Sequence, residues 1–244
     1  MELRGRVALV TGAGRRVGRA IAVGLGARGM RVAVHYHGSP TDAEESVRLI
    51  RAAGGEAEPL RADLGDPGAP GPLIDAVVGR FGTLDVLVNS AAIMERTPFG
   101  QVTAGQWERI FALNLRAPFF LAQAAAPHLA GGAGGAIVNI ADLAAFETWP
   151  GYLPHGLSKL GVVRLTESLA RIMAPAVRVN AVAPGNVLLP DGWSDADAER
   201  LRSTTPLARN GSPADVVQAV AYLLEADFVT GETIVVDGGR RVRG

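Results

Sequence analysis

The chain has no cysteine, which excludes disulfides and thiolate metal sites alike. Lysine is nearly absent too: of 24 basic residues, 23 are arginine and one, Lys159, is lysine. Four histidines without ligand-like spacing leave nothing that reads as a metal site. Neither sign of charge is in excess, with 24 acids against 24 bases, so a nucleic-acid or acidic-membrane partner is not expected. No apolar run approaches the length of a membrane span, and the one after Met1–Arg6 is also too short for a signal peptide; the expectation is a cytoplasmic protein.

What is present is a large apolar fraction, 48%, over 244 residues, enough for one α/β domain spanning residues 1–244 with a sizeable core. Short runs rich in β-branched residues recur at Val7–Thr11, Arg31–Tyr36, Ala57–Arg61, Val86–Asn89, Ala136–Ile140, Arg178–Ala183 and Thr233–Asp237. Most are continuously apolar, as strands covered by helices on both faces must be. Their alternation with helical stretches predicts a doubly wound, seven-stranded parallel sheet. One helix is expected over Val17–Arg28, closed by Gly29, and another begins at the capping-box spacing Thr41–Glu44 and ends at Gly54-Gly55. The stretch 184–205, with Pro190, Gly192 and Trp193, breaks this rhythm and reads as a substrate loop or lid.

The first strand runs into Thr11–Gly18, with glycines at 12, 14 and 18, and then into a helix. That sequence suits a pyrophosphate, because the unpaired N–H groups and dipole of a helix start favour an anion. The second strand ends in His35–Ser39 without the acid that accepts from a ribose 2′-hydroxyl, while Arg15 and Arg16 suit a 2′-phosphate. NADP(H) is therefore expected over NAD(H).

These segments together resemble the short-chain dehydrogenase/reductase family over nearly the whole chain. Thr11–Gly18 is similar to its TGxxxGxG turn, with Arg16 where the middle glycine is usual, and Asn89–Ala92 to its NNAG. Asp63-Leu64, Asn114, Pro184-Gly185 and Val236–Gly239 match further motifs in the family's order. The resemblance implies a single-domain Rossmann fold, a small-molecule substrate and a homotetramer or homodimer. It also implies cofactor contacts from Gly12, Gly14, Arg15, Arg16, Val17 and Gly18, from His37 and Ser39, and from Asp63 and Leu64. Further contacts fall on Asn89, Ser90, Ala91, Lys159, Pro184, Gly185 and Val187. Within the family the Gly14–Arg16 turn, His35–His37, Asp142 and Val182–Pro190 resemble the pteridine-reductase-like branch, although its stacking aromatic is here Met94 and its arginine after the second strand is Gly38.

The same resemblance implies a catalytic lysine, a tyrosine four residues before it, a serine after the fifth strand and a helix asparagine. Lys159 and Asn114 match; the tyrosine position is His155 and the serine position Asp142. In the family the tyrosine protonates the developing alkoxide while the lysine holds the nicotinamide ribose. Three readings stay open. His155 donates the proton, since histidine titrates nearest neutrality, though an imidazole reaches roughly 2 Å less far than a phenol and misplacements of about 1 Å are costly. Tyr152, at the start of the same helix, supplies a phenol instead. Or the site has lost turnover and the chain is an NADP(H)-binding redox sensor. Phe146, Trp149, Tyr152 and Trp193 are candidates to line an apolar substrate pocket.

Overall fold

The structure is a computed structural model, and it describes residues 1–132, 134–188 and 194–242. Pro190, Gly192 and Trp193 lie outside them. Seven parallel strands form one sheet in the order β3-β2-β1-β4-β5-β6-β7. They are β1 (Val7–Val10), β2 (Arg31–Tyr36), β3 (Glu56–Arg61), β4 (Val86–Asn89), β5 (Gly135–Ile140), β6 (Val177–Pro184) and β7 (Thr233–Val236). Among the described residues eight α-helices alternate with them: α1 (Arg16–Gly26), α2 (Pro40–Ala52), α3 (Pro70–Phe81), α4 (Ala104–Phe111), α5 (Ala117–Ala130), α6 (Leu153–Met173), α7 (Asp195–Ser203) and α8 (Pro213–Glu225).

The alternation along β1 shows how the two layers arise. Ala8 and Val10 pack into a core with Ile21, Leu25 and Val217 from α1 and α8, whereas Val7 and Leu9 face Leu73, Val77 and Leu121 from α3 and α5. Successive side chains of a strand point to opposite faces, so a strand sandwiched by helices must be apolar at every position. Pro59, which cannot donate to a ladder, is tolerated because β3 lies at the sheet edge.

Three expected boundaries shift. The helix α2 starts at Pro40, with Ser39 as its N-cap residue, so Thr41–Glu44 lies inside the first turns and is not a capping box. Proline at the first helical position needs no N–H there and brings a pre-set φ, and this moves the start upstream of the Thr41 spacing. The helix α1 ends at Gly26 rather than Arg28; Gly29, at φ +83°, and Met30 close its end through hydrogen bonds to Gly26 and Leu25. The segment 184–205 is not irregular throughout, because residues Asp195–Ser203 form α7, started by a Ser194–Asp197 capping box.

Strand order reverses between β1, whose neighbour is β2, and β4 on its other side. Connections diverge to opposite faces at such a reversal, which opens a crevice beyond the carboxyl ends of the strands. A cleft of about 1510 Å³ lies there.

Candidate active site

At one end of the cleft the chain leaves β1 through a turn that no residue but glycine fits at two positions. Gly12 has φ +65°, and a Cβ on Gly18 would lie 2.3 Å from the Gly12 carbonyl oxygen. The helix α1 that follows has no side-chain cap at Arg15 and no acid in its first turn. Its leading N–H groups therefore remain for an anion, and Gly12, Gly14, Arg15, Arg16, Val17 and Gly18 all line the cleft beside them. Arg16 has φ +53°, in the left-handed region, where a side chain costs roughly 1–2 kcal/mol. This explains why glycine is usual at that place.

Three polar side chains to which the sequence assigns no task hold the turn. Thr11 Oγ1 accepts from the Ser90 and Ala91 N–H groups at 2.9 and 3.0 Å, tying the turn to the end of β4. Ser46 Oγ, fully buried in α2, donates to the Ala13 carbonyl at 2.9 Å. His35 Nδ1 accepts from the Gly12 N–H at 3.1 Å, so its Nε2–H donates to the Ala62 carbonyl at 3.2 Å. Burial pushes the His35 pKa down to about 4, the Ala62 bond and nearby His37 being smaller influences, and the ring stays neutral as this geometry requires.

Beyond β2, His37 and Ser39 line the cleft with Asp63 and Leu64, and His37 Nε2 lies 3.7 Å from Asp63 Oδ2 with both side chains exposed. Ser90, Ala91, Pro184, Gly185 and Val187 line it too. Asn89 does not. It turns into the sheet, donates to Asn139 Oδ1 at 2.8 Å, and Asn139 in turn donates to Thr166 of α6. It is a strut between β4, β5 and α6, and its side chain points away from the cleft where a cofactor contact was expected of it.

The other end of the cleft is built by β5 and α6. Lys159 Nζ, buried, donates to the Ile140 carbonyl at 2.8 Å at the end of β5. Its pKa is pushed down to about 8 by burial, which outweighs the attraction of Asp142. Asp142 caps the short turn Leu143–Ala145 by accepting from the Ala144 N–H through Oδ1 at 2.8 Å. Its other oxygen, Oδ2, lies 3.7 Å from His155 Nε2. The imidazole is only 2% exposed, with Nδ1 3.2 Å from the Ile93 carbonyl. Nδ1 also lies 3.4 Å from the Asn114 amide nitrogen, and Nε2 is the ring nitrogen that faces Asp142. Nε2 has no hydrogen-bond partner among the described residues.

Asn114 sits in a turn of π-helix, Ala112–Arg116, between α4 and α5. Such turns insert a residue into a helix and recur at functional sites. Its amide donates to the Ile93 carbonyl at 3.0 Å and to Ser158 Oγ at 3.1 Å, and its Oδ1 accepts from the Ile93 N–H at 2.9 Å. It is buried behind Ile93 and His155 and does not line the cleft. Tyr152 and Trp149 do line the cleft and pack edge-on with ring centres 6.5 Å apart. Phe146 instead lies beneath the Arg241 guanidinium, 4.6 Å away, and does not line the cleft as expected. Among the described residues no group of histidine and acidic side chains suits a metal, and no helix is long and apolar enough to cross a membrane.

A family model described as enoyl-(acyl carrier protein) reductase matches residues 12–241. The 3-oxoacyl-[acyl-carrier-protein] reductase FabG of Staphylococcus aureus is 38% identical over 237 residues, covering 95% of this chain and 96% of the relative. The chain belongs to the short-chain dehydrogenase/reductase family. Family membership makes it an oxidoreductase, and other relatives show the range of substrates the scaffold accepts. The 3beta-hydroxysteroid dehydrogenase 1 of Eggerthella lenta is 35% identical over 246 residues, 98% of this chain and 94% of its own. A solved dehydrogenase/reductase from Sinorhizobium meliloti superposes with a TM-score of 0.91 at 35% identity, covering 98% of this short-chain dehydrogenase/reductase and 97% of the other chain.

Proposed function

We propose that this oxidoreductase uses NADP(H) to reduce a small carbonyl compound, with His155 as the proton donor. The observation that carries the reading is His155 Nε2, unpartnered among the described residues and 3.7 Å from Asp142 Oδ2, in the wall of the same cleft as Lys159. The uncapped start of α1 suits the pyrophosphate, and Arg15 and Arg16, both exposed beside it, suit a 2′-phosphate. Bound there, the dihydronicotinamide supplies the hydride that reduces a carbonyl carbon.

The chain's own groups manage the charge that results. Protonated His155 carries N–H on both nitrogens: Nδ1–H rests on the Ile93 carbonyl and Nε2–H points toward Asp142. As the carbonyl carbon takes hydride, the oxygen becomes an alkoxide, and Nε2–H gives it a proton to yield the alcohol and a neutral ring. Nε2 is itself shielded from solvent, so its proton is replaced by way of Asp142, whose side chain is a quarter exposed in the cleft. Asp142 steadies the imidazolium before transfer, and Lys159, fixed on the Ile140 carbonyl, offers its remaining N–H groups to the nicotinamide ribose. The ketoacyl reductase relative supports a carbonyl substrate, and a pterin ring is the second compound class to assay.

The test is to titrate NADPH by fluorescence and then assay carbonyl and pterin panels with wild type, His155→Ala and His155→Tyr. The expected result is that all three bind NADPH, wild type turns over and His155→Ala does not. Turnover by His155→Tyr alone would overturn His155 as donor, leaving a cofactor-binding protein. The reading also makes the protein a homotetramer or homodimer, supported by the apolar Phe119 and Phe120 on α5 and Leu157 and Leu160 on α6 left exposed in the single chain. Light scattering after size exclusion tests it, and a monomer would refute it.

A further inference from the structure

The cations around the cleft are matched by protein groups, or lie at the phosphate end, with one exception. Arg109 pairs with Glu95 at 3.1 Å, Arg116 donates to the Gly65 carbonyl, and Lys159 to that of Ile140. Arg240 lines the cleft, half-buried, yet its guanidinium makes no hydrogen bond, ion pair or ring contact among the described residues.

Its position follows from the chain around it. Asp237, just after β7, accepts from the Gly239 N–H at 2.8 Å and the Arg241 N–H at 2.6 Å, so both of its oxygens are taken by backbone and the segment curls back on itself. Gly238 and Gly239, at φ +66° and +89°, permit the curl. The two arginines that follow diverge, Arg241 onto Phe146 and Arg240 to the cleft. The curl packs against the segment after β6: the Gly185 N–H donates to Val236 at 2.9 Å, and a Cβ on Gly185 would lie 2.9 Å from that of Asp237. The next residue, Asn186, also lines the cleft, and its Nδ2 is a buried donor with no partner among the described residues. Two unsatisfied donors, a guanidinium and an amide, thus come from adjacent segments.

Strand spacing tells which part of a bound molecule they serve. The Arg15–Arg16 turn follows β1, four strands from β7, or roughly 19 Å at about 4.8 Å per strand. Arg240 is therefore far from any 2′-phosphate. The Lys159–His155–Asp142 group gathers at the end of β5, two strands from β7, roughly 10 Å, much of which an arginine side chain spans. A guanidinium fork matches the two oxygens of a carboxylate, and an amide donor from the neighbouring segment of the same cleft can add a further hydrogen bond. We infer that the reduced substrate is a keto acid whose carboxylate is anchored by Arg240 with the amide of Asn186, a substrate class that rests on the reductase reading above.

The test compares acetoacetate with ethyl acetoacetate, and levulinate with methyl levulinate, under saturating NADPH, in wild type and Arg240→Gln. Wild type favours the acids in kcat/KM. In Arg240→Gln the acid-to-ester ratio falls about tenfold or more through KM, the change expected for losing a charge-assisted hydrogen bond. An unchanged ratio, or a wild-type preference for the esters, overturns the anchor. If none of the four compounds is reduced, the reductase reading fails by itself, and calorimetric titration of acetoacetate into the NADPH-loaded protein then decides the anchor. Binding that Arg240→Gln abolishes upholds it; no binding, or equal binding by the variant, overturns it.

Discussion

His155 Nε2 and Asp142 Oδ2 face each other at 3.7 Å, one from the first turn of α6 and the other from the end of β5. The carboxylate divides its work, with Oδ1 capping a turn and Oδ2 left for the imidazole. Asp142→Asn separates the two functions, because an amide oxygen can still accept from the Ala144 N–H while the negative charge is gone. The expected outcome is a fall in kcat of about tenfold or more, on the scale of general acid catalysis, with little change in melting temperature. Asp142→Ala should lose the cap as well, at a cost of about 1 kcal/mol. Steady-state NADPH oxidation and thermal denaturation of both variants check this, and wild-type kcat in Asp142→Asn would remove Asp142 from the mechanism.

The sheet was legible because strands buried on both faces are continuous apolar runs, and each of the seven appears within a residue or two of its expected bounds. The start of α2 was not, since Thr41–Glu44 has the spacing of a capping box and only the chain's path shows Ser39 to be the cap residue. Within the site, the residues on backbone turns were readable from glycine spacing, whereas side-chain direction was not. Asn89 and Asn114 both match family motifs, yet one points into the sheet and the other lies behind Ile93. The π-helical turn that carries Asn114 differs from an α-helix by one inserted residue and leaves no mark on apolar periodicity. His35 reads as one polar residue in a strand, and only the approach of Gly12 and Ala62 from neighbouring elements gives it a task.

Lys159 pays for its position in stability. Its pKa falls from 10.5 to about 8 in the folded protein, equivalent to about 3 kcal/mol of disfavoured charge. Below pH 8 the lysine is charged in both folded and unfolded states, and the full penalty is present. Between about 8 and 10.5 the unfolded chain binds more protons, so stability rises with pH, and above that window the penalty is gone. Lys159→Met should therefore be more stable than wild type at pH 7 by about 1–2 kcal/mol, after loss of the Ile140 hydrogen bond, and the gap should close toward pH 10.5. Urea denaturation at both pH values tests the trend. As the only lysine, Lys159 also gives a single side-chain NMR signal, expected to titrate near pH 8.

His35 has an effect of the same sign at lower pH. Its folded pKa of about 4 lies below the ordinary 6.5, so between these values the unfolded chain binds the extra proton. Stability falls as pH drops from 6.5 to 4, by about 3 kcal/mol from this residue. His35→Asn keeps an acceptor for the Gly12 N–H but has no proton to gain. The variant should be about 1 kcal/mol weaker at pH 7, for the lost bond to Ala62, and should show a flatter dependence between pH 4 and 6.5. Parallel slopes for variant and wild type would show that His35 is not the group responsible.

In the proposed reading the preference for NADP(H) turns on Arg15 and Arg16, which line the cleft beside the start of α1 and are exposed there. A 2′-phosphate brought to them gains charge-assisted hydrogen bonds that a bare ribose hydroxyl does not. Arg15→Ser should raise the NADPH dissociation constant about tenfold or more and leave that of NADH nearly unchanged. Arg16→Gly carries an opposing effect, because glycine relieves the φ of +53° and so stabilises the turn by about 1 kcal/mol even as NADPH binding weakens. The two variants thus separate backbone strain from phosphate recognition. Fluorescence titration of both nucleotides, repeated at raised salt, should show NADPH affinity dropping more steeply than NADH affinity in wild type and the difference shrinking in Arg15→Ser. Equal affinities for the two nucleotides in wild type would remove the phosphate role from both arginines.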